Sequence, residues 1–194
     1  MVVNQGIGDP GLCECVLPGH QLKRLYEAED IAAGVRRVAT AIADQTMSAQ
    51  LLCVPVLKGS LMFAADLLRV LPPTVEVDFL GVSSYQGGAS SSGIVKLTRD
   101  ISTSIEDRDV LVIEDIVDTG LTIRYLLDTL ALRKPRSLRV ASLLDKPSRR
   151  VVEVPIDFCA FKIPDLFVVG YGLDYAEAYR GLPYLAELTL PEHS

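Results

Sequence analysis

The sequence lacks several features that would place the protein in a particular class. Its 194 residues contain no tryptophan, only four cysteines and 6% aromatic residues. No apolar run approaches the roughly 18 residues of a membrane-spanning helix, so we expect no membrane segment. Four cysteines are too few for the dense framework of a small disulfide-rich domain. The first ten residues lack a basic region followed by an apolar one, so we expect no secretory signal and a cytoplasmic protein.

The four cysteines do not read as a disulfide framework or a complete metal site. Cys53 and Cys159 stand in apolar runs typical of strands, and we expect them to be buried as small apolar side chains. Cys13 and Cys15 could touch a metal. No second pair of cysteines or histidines completes a zinc site around them.

Length and composition indicate one globular domain. The 49% share of hydrophobic residues is ordinary for such a protein, and the chain is long enough to bury a full core. Residues 1–20 contain four glycines and two prolines without periodicity, which predicts a loose N-terminal arm. Residues 21–194 are predicted to form a single domain without internal repeats.

The charge distribution argues against a general nucleic-acid binder. The formal net charge is −6, whereas nucleic-acid-binding domains present a strongly basic surface. One local basic cluster is present, and we expect it to be a solvated face. Its members are Arg133, Lys134, Arg136, Arg139, Arg149 and Arg150.

Strand-like and helix-like segments alternate along the chain. Helical spacing of apolar residues begins near Glu27 and returns after residues 60 and 122. This alternation predicts an α/β fold with a mainly parallel sheet flanked by helices. Residues 83–93 hold five serines and three glycines, which predicts a flexible loop. The predicted strands lie at residues 51–57, 75–82, 96–100, 110–113, 138–144, 151–161 and 167–171.

The most informative stretch is residues 110–122, Val-Leu-Val-Ile-Glu-Asp-Ile-Val-Asp-Thr-Gly-Leu-Thr. Its four leading apolar residues predict a strand buried on both faces, as in a parallel sheet. Glu114 and Asp115 are expected where that strand ends, with water able to reach them. A short polar loop with one glycine then leads directly into a helix.

A loop between a strand and a helix N-terminus is suited to binding phosphate. Backbone N–H groups are free there, and the helix dipole favours an anion. Thr119 and Thr122 add hydroxyl donors, and Gly120 lets the backbone approach closely. Like charge keeps Glu114 and Asp115 from the phosphate, so this pair suits ribose hydroxyls or a divalent cation. Together these groups describe a site for a phosphorylated ribose.

Residues 112–122 closely resemble the phosphoribosyl diphosphate signature of the type I phosphoribosyltransferases. The resemblance implies the fold of that family, with a small C-terminal hood and a flexible loop beside the parallel sheet. It also implies that Lys58 and Gly59 bind the diphosphate, because they occupy the matching loop one strand–helix unit earlier. Ser84 and Tyr85 resemble the Ser-Tyr pair on the flexible loop of the 6-oxopurine branch, which closes over the reacting centre.

The C-terminal third resembles the hypoxanthine(-guanine) phosphoribosyltransferase branch of the family. Residues 144–150, 163–175 and 179–180 carry this resemblance, which extends from about residue 31 to about residue 185. It implies transfer of the phosphoribosyl group of 5-phosphoribosyl 1-diphosphate to N9 of hypoxanthine, and of guanine as a second base. The products would be IMP or GMP and diphosphate, as in purine salvage. A homodimer or homotetramer is implied, acting on small molecules rather than on nucleic acid or a membrane.

The same resemblance assigns each part of the substrates to residues. Asp118 is the expected proton acceptor for purine N7, and Lys146 the donor to the 6-oxo group. Phe167 is expected to stack on the base, and the backbone of Val168 to read its edge. The diphosphate is assigned to Lys58, Gly59 and Arg180, and Mg²⁺ with the ribose hydroxyls to Glu114, Asp115 and Asp174. The ribose phosphate is assigned to the loop that follows Asp118, with Thr119, Gly120, Leu121 and Thr122.

One departure and two alternatives bear on the substrate. Some family members carry a lysine shortly before the Asp-Phe pair of residues 157–158, where this chain has Pro155. Lys146 is then the one expected base-reading lysine. An RNA-binding regulator of pyrimidine genes shares the fold, but the net charge and the purine-type C-terminus argue against it. A transferase for xanthine or another base stays open, as does the preference between hypoxanthine and guanine.

Overall fold

The structure, a computed structural model, describes residues 16–45, 51–84 and 95–191. Tyr85 and most of the predicted flexible loop lie outside these ranges, as do Cys13 and Cys15. None of the helices within these ranges is both long and apolar enough to cross a membrane.

Ten strands, three helices and one short 3-10 turn make up the described chain. The strands are β1 (Gln21–Tyr26), β2 (Leu51–Leu57), β3 (Glu76–Val77), β4 (Leu80–Ser84), β5 (Val95–Arg99), β6 (Asp109–Val117), β7 (Ser137–Asp145), β8 (Phe158–Lys162), β9 (Val168–Val169) and β10 (Leu185–Thr189). The helices are α1 (Ala28–Gln45), α2 (Leu61–Val70) and α3 (Leu121–Ala131), and the turn is Pro147–Arg149.

A seven-stranded sheet is the centre of the molecule. Its strand order is β5-β4-β2-β6-β7-β8, and β3 pairs with β2 beside this path. Strands β4, β2, β6, β7 and β8 run parallel, whereas the edge strand β5 is antiparallel to β4. The predicted α/β fold with a mainly parallel sheet is confirmed.

Helices cover both faces of this sheet. Leu111 and Ile113 of β6 pack in one core with α1 and α2, while Val110 and Val112 pack in a second core with α3. Successive residues of a strand point to opposite faces, so a strand between two helical layers must be apolar throughout. The prediction that this strand is buried on both faces is confirmed.

A second, smaller sheet forms the hood, with strand order β1-β10-β9 and antiparallel pairing. Neither β1 nor β10 was expected from the sequence. In β1 exposed and partly buried residues are mixed without a clean apolar face, so its sequence carries a weak strand signal. The hood also contacts residues 16–20, since Tyr179 Oη lies 2.8 Å from His20 Nδ1 and accepts a hydrogen bond from Leu17 N.

Three predicted strands have different limits in the structure. The strand expected to end before Glu114 continues to Val117, which places the acidic pair inside β6. The expected strand at residues 75–82 is divided into β3 and β4, because the buried carboxylate of Asp78 between them accepts hydrogen bonds from Ser102 N and Thr103 N. The segment 151–161 becomes extended only from Phe158.

Candidate active site

The candidate site lies at the carboxyl edge of the parallel sheet. Strands β2, β4, β6 and β7 all end there, so the segments that follow them meet although they are distant in sequence. Binding sites of open α/β sheets lie outside the carboxyl ends of their strands. A cavity of about 880 Å³ opens at this edge and is lined by Lys58, Gly59, Glu114, Asp115, Thr122, Asp174, Glu177 and Arg180, with seven further residues.

The acidic pair lies deeper than expected. Glu114 is buried, with 7% of its surface exposed, and its Oε2 has no hydrogen-bond partner among the described residues. Burial, together with the neighbouring Asp115 carboxylate, raises the pKa of Glu114 well above its usual range. Burial likewise raises the pKa of Asp115. The expectation of a carboxylate open to water at a strand end is wrong for Glu114, because β6 runs on past it into the sheet. Asp115 is half-buried and lines the cavity.

Gly59 brings the diphosphate loop against this pair. A Cβ placed on Gly59 would lie 1.6 Å from Asp115 Oδ2, so only glycine lets the backbone pass there. On the other side of this loop, a Cβ on Gly172 would lie 2.1 Å from Gly59 O. The loop is therefore packed between the acidic pair and the segment around Gly172.

The predicted phosphate loop joins β6 to α3. Gly120 has φ 86° directly before the first residue of α3, a left-handed conformation that glycine adopts readily. The turn after β7 supports the loop from behind, since Thr119 O accepts hydrogen bonds from Val151 N (2.9 Å) and Val152 N (3.2 Å). Thr122 reaches the cavity from the first turn of the helix. The loop thus leads into a helix N-terminus whose first turn reaches the cavity through Thr122.

Four charged side chains surround the end of the cavity where the sequence predicts diphosphate to bind. Lys58 Nζ contacts both carboxylate oxygens of Glu177, at 3.0 and 3.1 Å. Arg180 lies 2.8 Å from Asp174 Oδ1 and 3.4 Å from Glu177 Oε2. The structure therefore brings the two predicted diphosphate cations together, with a carboxylate on each. No motif in the sequence singled out Glu177 as a site residue.

The residues predicted to bind the base lie beyond β7 and around the hood. Lys146 is buried, and its Nζ lies 3.9 Å from Asp118 Oδ2 and 4.0 Å from Asp165 Oδ1. Phe167 presents an exposed ring, with Tyr175 packed edge-on at 5.7 Å between centroids. Val168 begins the short strand β9. The lysine and the aromatic ring are thus held by separate parts of the fold.

Two arginines of the predicted basic face belong to the site instead. Arg150 Nη1 donates to Asp118 O at 2.8 Å, and its Nη2 donates to the carboxylate of Asp145 at the end of β7. Arg149 Nε donates to Asp118 Oδ1 at 3.2 Å. The prediction of a solvated face is wrong for Arg150, whose side chain is only 11% exposed, because the turn after β7 folds back onto the phosphate loop. Arg149 is 49% exposed and contacts Asp118 from the solvent side.

The other arginines of the cluster are largely neutralised. Arg133 Nη2 lies 2.6 Å from Asp100 Oδ2, and Arg136 pairs with Asp109. This pairing reduces the positive charge that Arg133 and Arg136 add to the surface.

The predicted metal ligands are not assembled into one closed site. Within the described ranges no three His, Cys, Asp or Glu side chains are grouped as they would be around a metal ion. Asp174 is engaged by Arg180 and accepts a hydrogen bond from Glu177 N at 2.8 Å. Glu114 and Asp115 nevertheless fit a divalent cation or hydroxyl donors, because one buried Glu114 oxygen has no partner and the pair repels itself when both groups ionise.

An α/β sheet with a strand–loop–helix turn, an acidic pair and two cations at its carboxyl edge is typical of proteins that bind phosphorylated ligands. Residues 21–176 match the family model of the phosphoribosyl transferase domain. The chain therefore belongs to the phosphoribosyl transferase family.

Known proteins agree with this assignment. The chain is 46% identical over 166 residues to the hypoxanthine-guanine phosphoribosyltransferases of Streptococcus mutans and Bacillus subtilis, covering 86% of this chain and 92% of each relative. A crystal structure of a hypoxanthine-guanine phosphoribosyltransferase from Bacillus anthracis is similar with a TM-score of 0.81 and 39% identity, covering 88% of this chain and 99% of that one. The structure of a hypoxanthine phosphoribosyltransferase from Staphylococcus aureus is similar with a TM-score of 0.82 and 43% identity, covering 86% of this chain and 91% of that one.

Proposed function

We propose that this protein transfers the phosphoribosyl group of 5-phosphoribosyl 1-diphosphate to N9 of hypoxanthine and of guanine, a reaction of purine salvage. The observation that carries the proposal is the cavity at the sheet edge. It brings Lys58 and Arg180, the acidic pair and Thr122 of the phosphate loop around one space. A diphosphate, a ribose diol and a 5′-phosphate require these three kinds of group side by side. Relatives with 46% identity bear the matching name.

The reaction follows from these positions. N9 of the purine attacks C1′ of the ribose, while the bond from C1′ to the diphosphate oxygen breaks and its electron pair leaves with the diphosphate. Positive charge spreads over the ribose in the transition state, and the carboxylates of Glu114 and Asp115 stabilise it. Asp118, at the end of β6, accepts the proton released from N7. Its hydrogen bond from Arg149 Nε positions this carboxylate.

The acidic pair is proposed to hold Mg²⁺ or the ribose hydroxyls. When bound, Mg²⁺ would neutralise charge on the leaving diphosphate. Asp174 would join them by exchanging its contact with Arg180. Because burial raises the pKa values of Glu114 and Asp115, a cation or hydroxyl donors would favour the ionised pair over the protonated one.

The base is proposed to lie between Phe167 and Lys146. A flat heterocycle suits the exposed aromatic ring, and the 6-oxo group accepts a hydrogen bond from the lysine. Lys146 stands 3.9 and 4.0 Å from Asp118 and Asp165, which orient its ammonium group without holding it in a close pair. With Pro155 in place of a second lysine, discrimination among bases rests on this residue.

We further propose that the enzyme is a homodimer or homotetramer in the cytoplasm. Its phosphoribosyl substrate and both products are multiply charged phosphates, which do not cross membranes unaided and so are used where they are made. In a Trypanosoma cruzi hypoxanthine phosphoribosyl transferase, 42% identical with a TM-score of 0.80, the C-terminal region has been studied for its role in oligomeric state and activity. Sedimentation of the purified chain would measure the number of subunits.

A spectrophotometric assay with four bases tests the proposed function. Purified protein is incubated with 5-phosphoribosyl 1-diphosphate, Mg²⁺ and hypoxanthine, guanine, xanthine or adenine in turn. We expect nucleotide to form with hypoxanthine and guanine and adenine to be refused. Turnover of xanthine alone would reassign the base, and no turnover with any base would contradict the proposal. A chelator control establishes the metal requirement.

A further inference from the structure

The Glu177 carboxylate contacts both Lys58 and Arg180, the two cations that are proposed to bind the diphosphate. It contacts Lys58 Nζ through both oxygens, at 3.0 and 3.1 Å, and Arg180 Nη2 through one, at 3.4 Å. All three side chains line the same cavity as the acidic pair. A carboxylate shares with a phosphate the geometry of acceptor oxygens around a central atom. Glu177 therefore makes the contacts that an incoming diphosphate has to make.

The backbone keeps Glu177 in this position. Ala176 and Glu177 have φ values of 48° and 66°, in the left-handed region that side-chain-bearing residues rarely adopt. Glu177 N donates to Asp174 Oδ2 at 2.8 Å, which stabilises the tight turn. Such conformations persist only where their surroundings impose them. The turn is thus built to present the Glu177 carboxylate to Lys58 and Arg180.

The contact is nevertheless open to exchange. Lys58 and Glu177 side chains are 66% and 65% exposed. The hydrogen bond from Lys58 lowers the pKa of Glu177, so the carboxylate is ionised at neutral pH. Exposed ion pairs of this kind are weak and readily displaced by a more highly charged partner. A diphosphate with Mg²⁺ would offer Lys58 and Arg180 more acceptor oxygens than one carboxylate does.

We propose that Glu177 is an exchangeable counter-ion of the diphosphate subsite. It leaves Lys58 and Arg180 when 5-phosphoribosyl 1-diphosphate binds and returns to them as the product diphosphate departs. It is a positioning residue, because it acts through the two cations and forms no bond to the reacting atoms. The inference rests on the proposed function. It predicts that the wild-type enzyme holds diphosphate less tightly than its cations alone would allow.

Glu177→Gln tests this with the smallest change in shape. The amide keeps the size of the side chain but loses the charge that competes for Lys58 and Arg180. We expect the dissociation constant of Mg²⁺-diphosphate, measured by calorimetry, to fall about two- to fivefold, as for the loss of one exposed ion pair. KM for 5-phosphoribosyl 1-diphosphate should fall by a similar factor. If diphosphate release limits turnover, kcat should fall too, while a single-turnover experiment with hypoxanthine should give an unchanged rate.

Glu187→Gln is the matched control. It removes the same charge from β10, where Glu187 pairs with Lys23 at 3.8 Å in the hood sheet. We expect diphosphate affinity and activity to equal those of wild type. An equal gain in both variants would mean that net charge alone acts, and that result would overturn the proposal.

A coupling measurement separates Glu177 from general effects on the loop. In a Lys58→Met background, Glu177→Gln should change diphosphate affinity less than it does in wild type, because one of the two cations is gone. Unchanged or weaker diphosphate binding in Glu177→Gln alone would overturn the proposal. Failure of the proposed function would show differently, as absence of diphosphate binding and of nucleotide synthesis in wild type itself.

Discussion

The two ends of the candidate site hold their charges in opposite ways. At the diphosphate end, Lys58 and Glu177 pair with about two thirds of each side chain exposed. At the base end, Arg150 and Asp145 pair with side chains only 11% and 9% exposed, and Lys146 between them in sequence is 8% exposed. Exposed pairs exchange easily, whereas a buried pair leaves a costly unpaired charge when it breaks. The exposed pair can therefore exchange its partners, whereas the buried pair keeps a fixed geometry.

The largest effect is expected from breaking the buried Arg150–Asp145 pair. Arg150→Met removes the partner of the buried Asp145 carboxylate and the donor to Asp118 O. We expect the free energy of unfolding to drop by about 3–5 kcal/mol, measured by urea denaturation. The neighbouring Arg149→Met, from a half-exposed side chain, and Lys58→Met should leave the urea midpoint close to that of wild type. Similar midpoints for all three variants would remove the distinction between the two ends.

The next effect concerns the acidic pair between the ends. The double variant Glu114→Gln, Asp115→Asn keeps the shape of both side chains and removes their charge. We expect kcat/KM to fall by about 100- to 1,000-fold, the usual loss when a charge that stabilises the transition state is removed. The magnesium dependence should change as well. The circular dichroism spectrum and urea midpoint should show a folded protein, and unchanged kinetics would contradict the assigned role.

The variant Lys146→Met tests whether Lys146 reads the base. Methionine preserves the packing of the stem and removes the donor to the 6-oxo group. Leaving a buried acceptor without its partner costs about 1–3 kcal/mol, roughly ten- to a hundredfold in kcat/KM for hypoxanthine. Discrimination against adenine should weaken, while KM for 5-phosphoribosyl 1-diphosphate should hardly change. If hypoxanthine and adenine lose the same factor, Lys146 does not read the base.

The smallest effect is a pH dependence of stability. The pKa of Glu114 is raised above its ordinary 4.5, so the folded protein favours the protonated pair. That contribution is fully present below the ordinary value and is lost as pH rises through the raised pKa. In a chelator, Tm should therefore decline more steeply as pH rises above the ordinary value of 4.5 in wild type than in the double amide variant. Parallel curves for the two proteins would mean that the pair is not coupled to folding.

The pattern of apolar residues along the sequence predicted the elements that are stabilised by local interactions or buried on all sides. The strand expected at residues 51–57 has the same limits in the structure, because a continuous apolar run between polar segments leaves few alternatives. The hood strand β1 was missed because its mixed pattern acquires a strand partner only in β10, whose residues lie more than 150 positions away. The end of β6 was placed too early, since pairing with β7 continues to Val117 and Asp145.

The candidate site shows the same division. Residues 112–122 combine a strand, a phosphate loop and an acidic pair within eleven positions. This short stretch by itself therefore indicates a site for a phosphorylated ribose. Arg149 and Arg150 looked like part of a charged surface, because nothing in their neighbourhood indicates that the turn after β7 folds onto Asp118. Glu177 was missed for a related reason, since its partner Lys58 lies 119 positions away.

The sequence by itself determined the fold class, the family resemblance and the order of the phosphate, ribose and base motifs along the chain. These depend on the period of apolar residues and on short runs of polar ones. Only the tertiary structure decided which charges are buried and which cation contacts which carboxylate. It also decided that position 59 must be glycine, because the Asp115 carboxylate occupies the space that a side chain would need. Those features arise where parallel strands end together, and the distance between two such ends in space is unrelated to their separation in sequence.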